Sequence, residues 1–131
     1  MDFAQMAKDL QKLLETVDYP VYEGQAPRDS AGKIYEPPYI VYTAEPRAPQ
    51  DEAEEWQIDL LIDVWALSSW ANAYEITNAL HALLDGTVHE GRAGTYCIDP
   101  NGLIANRNER DPSDERIRRL HSQYLIRFNE F

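Results

Sequence analysis

The stretch Trp56-Gln57-Ile58-Asp59-Leu60-Leu61-Ile62-Asp63-Val64-Trp65-Ala66 decides the fold. Trp56, Ile58, Leu60, Ile62 and Val64 alternate with Gln57, Asp59, Leu61, Asp63 and Trp65, so the first set is expected to face a core and the second to be mostly exposed. A slip of one residue would drive both aspartates inward, which fixes the register. This is a β-strand over residues 56–66. Just beyond it, Ser68 or Ser69 can accept hydrogen bonds from free amides and cap a helix, with Ala73, Ile76, Thr77, Leu80, Leu83 and Leu84 on one face. Gly86 ends that helix, because it takes the left-handed conformation of a C-terminal cap.

Upstream, residues 45–55 read as a solvated loop with Pro46, Pro49 and the acidic run Asp51, Glu52, Glu54 and Glu55. Before it, Tyr39, Ile40, Val41, Tyr42 and Thr43 are β-branched or aromatic between Pro38 and Pro46, the signature of a short strand. Residues 23–38 carry Gly24, Pro27, Gly32, Pro37 and Pro38 and form a long connector. From residue 2 to 17, Phe3, Met6, Ala7, Leu10, Leu13, Leu14 and Val17 recur at helical spacing, against a polar face of Lys8, Asp9, Gln11, Lys12 and Glu15. Pro20 stops the helix near Asp18.

Downstream of Gly86, residues 95–99 and 103–107 flank Pro100, Asn101 and Gly102, a turn chemistry that suits a hairpin. Residues 108–115 read as a charged loop. Residues 117–128 alternate Leu120, Ser122, Tyr124, Ile126 and Phe128 against Arg119, His121, Gln123, Leu125 and Arg127, which describes a long amphipathic strand. The expected architecture is a single α+β domain over residues 1–131, with two helices packed on a largely antiparallel β-sheet.

A chain of 131 residues with 44% hydrophobic content fills one core without disulfides or metals. The formal net charge of −11 argues against binding nucleic acid or an anionic membrane, since both draw on Lys and Arg. The single cysteine, Cys97, has no internal partner, which fits synthesis in a reducing compartment such as a cytoplasm. No secretory signal is visible at Met1, Asp2 and Phe3, and charge interrupts every apolar stretch before membrane-spanning length.

The sequence has no Gly-rich phosphate loop, no paired-cysteine zinc spacing and no His-Glu-x-x-His element. His81, His89 and His121 fall in an expected helix, loop and strand respectively, and Asp59 and Asp63 read as a solvated sheet face. No catalytic, cofactor-binding or metal residues are expected, and the chain is not expected to be an enzyme. Trp65 and Trp70 are candidate subunit-interface anchors. So is the basic cluster Arg116, Arg118 and Arg119, which a head-to-tail ring could bring against the acidic run of a neighbour.

The order and spacing of these parts resemble the bacteriophage tail-completion, or tail-terminator, family, also found in gene transfer agents. The resemblance covers nearly the whole chain. It is carried by the N-terminal helix, by Val21, Tyr22, Gln25, Ala26 and Pro27, and by Pro38, Tyr39, Ile40, Val41 and Tyr42. It continues through residues 58–65, the helix with Ile76, Ala79, Leu80 and Leu84, and the strand over residues 124–128. The long acidic loop over residues 45–55 departs from the family pattern.

The resemblance implies a structural protein of the virion neck, assembled in a host cytoplasm into a homo-oligomeric, hexameric ring. The ring caps the head-proximal end of the tail tube, stops its growth and joins tail to head. The implied partners are the major tail tube protein and head–tail connector proteins, with DNA passing through without specific binding. Asp51, Glu52, Glu54 and Glu55, or Asp59 with Asp63, are candidates to face that channel, because carboxylates repel phosphates. Two other readings fit the same residues: a head–tail adaptor or tail-tube subunit, and a small acidic binding module of a bacterial host.

Overall fold

The structure, a computed structural model, describes residues 1–49, 55–100, 109–111 and 114–131. Its centre is the strand expected first, β3 (Trp56–Leu67), flanked by β2 (Tyr39–Arg47) and β7 (Asp114–Glu130). Outside these lie β1 (Val21–Glu23) on one side, and β5 (Gly94–Ile98) and β4 (Val88–Glu90) on the other. A seventh strand, β6 (Glu109–Asp111), pairs with the beginning of β7. The order is β1-β2-β3-β7-β5-β4, and every described strand pair is antiparallel except β1 with β2. Two helices, α1 (Phe3–Glu15) and α2 (Trp70–Leu84), pack on one face of this sheet. The α+β architecture read from the sequence is the one observed.

The strand pattern behaves as the alternation dictates. Ile58, Leu60, Ile62, Val64 and Ala66 of β3 are fully buried, and the residues between them are partly exposed. Across β7 the matching set is Leu120, Ser122, Tyr124, Ile126 and Phe128. The helices close over this face with Met6, Leu10 and Leu14 from α1 and Ala73, Ile76, Leu80 and Leu84 from α2. Burying each of the large aliphatic side chains contributes about 2 kcal/mol.

Helix ends follow from single residues. Asp2 accepts from the Gln5 amide at 3.0 Å and caps α1, and Ser69 does the same for α2 through the Asn72 amide at 3.1 Å. Asp18 and Ser68 take left-handed backbone angles, φ 63° and 58°, to turn the chain out of α1 and into α2. Gly86, at φ 66°, follows the end of α2 as its sequence position implied.

Four local expectations are corrected. Residues 21–23 form β1 in addition to the connector, and β2 runs on through Pro46 to Arg47. Pro46 is accommodated there because β1 ends opposite Tyr42, so its missing N–H falls in the part of β2 that runs past β1. His89 lies in β4 and not in a loop, held where its Nε2–H donates to the Leu83 carbonyl at 3.0 Å.

The last correction concerns the charged loop over residues 108–115, which follows the hairpin expected at Pro100, Asn101 and Gly102. The hairpin's second strand, residues 103–107, lies outside the described residues, and both edges of β5 are occupied, by β4 and by β7. β5 and β6 both pair antiparallel with the same edge of β7. The charged segment read as a loop over residues 108–115 contributes β6 and the first residues of β7. A 17-residue strand offers one continuous edge, whose backbone groups β5 and β6 satisfy in turn.

Candidate assembly interface

The sheet face turned away from the helices is built in rows that cross β2, β3 and β7. One row is Tyr39, Trp65 and Arg119, the next Val41, Asp63 and His121, and the third Thr43, Leu61 and Gln123. Glu45, Asp59 and Leu125 form the fourth, and Arg47, Gln57 and Arg127 the fifth.

At the Trp65 end this face carries a small aromatic cluster. Tyr39 stacks on Trp65 at 5.7 Å between ring centroids and meets Tyr22 edge-on at 5.8 Å. The Arg119 guanidinium lies over the Trp65 ring at 5.2 Å, and Trp65 Nε1 is buried with no hydrogen-bond partner among the described residues. Trp70 is also half-buried, packing against the main core beneath Arg118, whose guanidinium sits 5.6 Å above its ring. The register places Arg118 on the helix side of the sheet and Arg119 on the open side, so the basic cluster is split between two faces. Arg116 is exposed at the edge of a groove of about 690 Å³, lined also by Arg28, Lys33, Tyr35, Leu67 and Ile117.

The acidic residues expected on this face are matched by cations. Asp59 pairs with Arg47 at 3.0 Å. Asp63 accepts from His121 Nδ1 at 2.9 Å and lies 3.9 Å from Arg119 Nε. Gln123 Nε2 sits 3.2 Å from His121 Nε2. Glu55 accepts a hydrogen bond from Asn129 Nδ2, while Asp51, Glu52 and Glu54 lie outside the described residues. Cys97 is half-exposed on a strand whose register sets it beside Arg127.

Two residues read as part of a polar helix surface turn out to anchor α1. Asp9 accepts from the Ala93 amide at 3.0 Å, the Arg92 amide at 3.1 Å, Gln5 Nε2 at 2.9 Å and the Tyr96 hydroxyl at 2.7 Å. Burial alone would raise its pKa, but these donors more than offset that and hold it below the ordinary carboxylate value of 3.8. Burial and the neighbouring carboxylate push the Tyr96 hydroxyl up in turn. Gln11 donates to the Val21 carbonyl at 3.0 Å and accepts from the Tyr42 hydroxyl at 2.8 Å, tying α1 to β1 and β2. Helical periodicity assigns both to the outer face, and only the approach of the β4–β5 turn and of β2 gives them partners. Gly91 is the one cue, since a Cβ there would overlap the Asp9 carboxylate.

Among the described residues no group of three or more His, Cys, Asp or Glu is placed to hold a metal ion, and no helix is long and apolar enough to cross a membrane. No family model matches the chain, and no curated protein matches it. Among solved structures, a chain from the virion of a native gene transfer agent particle has the same fold. The TM-score is 0.62 at 19% identity, over 95% of this chain and 92% of that one. At that identity the likeness establishes the shared fold, end to end on both chains.

Proposed function

We propose that this protein is a structural virion component of the tail-terminator type, a ring subunit that caps the tail tube and joins it to the head. The observation that carries the reading is the likeness, along nearly the full length of both chains, to a protein of a gene transfer agent virion. Two features of the chain support it. One face of the sheet has no described helix over it and carries Leu61, Leu125 and Trp65 at partial exposure among paired charges, a composition suited to contact with another protein. The net charge of −11 suits a neck through which DNA must slide, because a wall without excess cations does not trap phosphates.

The terminator reading is favoured over a tube subunit by the short reach of the β6–β7 hairpin. β7 begins at Asp114 and meets β3 from Ile117 onward, so three of its residues extend past the Leu67 end of β3. Subunits stapled into a stacked tube call for a longer arm.

Deletion of the gene in the particle that encodes it tests the proposal, with electron microscopy of the lysate as the readout. Unjoined heads and tails, with tube lengths no longer uniform and restored by the wild-type chain in trans, are expected. Normal joined particles would refute the reading. In the ring, Trp65 with Arg119 and Trp70 with Arg116 and Arg118 are the proposed subunit contacts. Replacing Arg119 by Glu is expected to weaken assembly while leaving the circular dichroism spectrum unchanged.

A further inference from the structure

A groove of about 560 Å³ runs between α1 and the β4–β5 hairpin. Its rim is basic: Lys8 and Lys12 stand one helical turn apart on α1, and Arg92 faces them from the hairpin. These are three of only 12 Lys and Arg in a chain with 23 Asp and Glu. Of the acids that line it, Asp9 is fully engaged by its four donors, which leaves Glu90 to oppose three cations. His89 is tethered through Nε2 to the Leu83 carbonyl. Leu13 and Tyr96 supply apolar lining. None of Lys8, Lys12 and Arg92 forms an ion pair with a described residue of its own chain.

We infer that this groove receives the acidic segment between β2 and β3 of a second copy of the same chain. That segment joins Arg47 to Trp56 and contains Asp51, Glu52, Glu54 and Glu55. Glu55 accepts from Asn129, and Asp51, Glu52 and Glu54 match the three cations in number and oppose them in charge. Groove and segment are different surfaces of one molecule, so the contact is heterologous and repeats around an axis until it closes. The inference deepens the ring reading, and it assigns the acidic run to the joint between subunits in place of the channel wall. The basic partner is the groove and not Arg118 and Arg119, whose guanidinium groups already cover Trp70 and Trp65.

Two charge-reversed proteins test it, K8E/K12E/R92E for the groove and D51K/E52K/E54K for the segment, with sedimentation velocity as the readout at low salt. Each variant alone is expected to self-associate at least about tenfold more weakly than the wild type, because like charges now face each other. Mixed in equal amounts, they are expected to recover association to within about twofold of wild type, since each supplies the surface the other lacks. A mixture that behaves as the average of its parts would overturn the inference.

Carbodiimide cross-linking of wild-type chains, half of them labelled with nitrogen-15, gives the second measurement. Cross-links from Lys8 or Lys12 to Glu52 or Glu54 that carry both isotopes are expected. Cross-links within single chains only, or none at about 1 mM, would refute a contact between copies. Complementation by a chain absent from particle necks would retain the joint and end the terminator reading. Neck location without complementation would do the reverse.

Discussion

The two faces of β3 are made by the same backbone at the same depth in the sheet, yet they are different materials. On the helix side, Ile58, Leu60, Ile62, Val64 and Ala66 have no exposed surface. On the other side, Asp59, Leu61, Asp63 and Trp65 stay partly exposed beside their cross-strand neighbours. The first face holds the fold together. The second is organised by pairs, an aspartate against a cation and a Trp under an arginine, which fix side chains in place without sealing them from solvent. A surface of that kind can meet a neighbour without first having to be ordered, and this lowers the entropic cost of association.

The contrast is tested most severely by adjacent leucines. Leu60→Ala is expected to remove about 3 kcal/mol of stability, through lost burial and the cavity left under the helices. Leu61→Ala is expected to remove less than about 1 kcal/mol, because its site opens to water and leaves no cavity. Urea unfolding of both variants measures the difference, and equal losses would erase the distinction between the faces. The aromatic cluster marks where the open face becomes core-like. Trp65→Ala is expected to cost about 2 kcal/mol, since it removes the stack on Tyr39 and the ring beneath Arg119 together. A loss no larger than that of Leu61→Ala would mean the cluster adds nothing.

That gradient also shows why some of the fold was legible in the residues and some was not. β3, the end of β7 and both helices follow from periodicity, because burial on one face imposes period 2 or 3.6 on the chain. Ser69 and Gly86 mark helix ends for equally local reasons. β1 has three residues and pairs in parallel with β2, a match that only tertiary contact creates. The pairing of both β5 and β6 with β7 is likewise a property of the sheet. For the assembly surface, alternation already set Trp65 and Arg119 on the outer side of their strands, but the basic residues were read as one cluster, whereas Arg118 and Arg119 lie on opposite sides of the sheet. Asp9 and Gln11 stayed hidden because a polar residue on a helix looks the same whether it faces water or a partner.

Asp9 sharpens the comparison from the covered side, where polar groups need complete partnership. Asp9→Ala is expected to cost about 2 kcal/mol, since it strips the acceptor from two backbone amides and from the Tyr96 hydroxyl. Its pKa in the fold lies below the unfolded value of 3.8, so the carboxylate's contribution is fully present above pH 4 and disappears as the pH falls through the folded value. The variant should therefore show a shallower loss of stability on acidification than the wild type. Parallel acid-unfolding curves would remove Asp9 from that account. At the other extreme, burial and nearby carboxylates raise Tyr42 to about 12, and burial with Asp85 raises Tyr124 to about 12. Both prefer the protonated form in the fold, so stability should decline as the pH rises above 10.

The smallest effect belongs to the open face and tests whether its charge pairs matter to the fold at all. Asp59 and Arg47 are in contact at 3.0 Å with side chains 38% and 57% exposed, so water and salt screen their attraction, and holding both side chains offsets part of what remains. Asp59→Asn is expected to change stability by no more than about 0.5 kcal/mol, and that difference should fade in 1 M salt, where the screening length is about 3 Å. A loss several times larger, persisting in salt, would show that this row is held as tightly as the helix side. The open face would then be a second core and no longer a surface prepared for a neighbour.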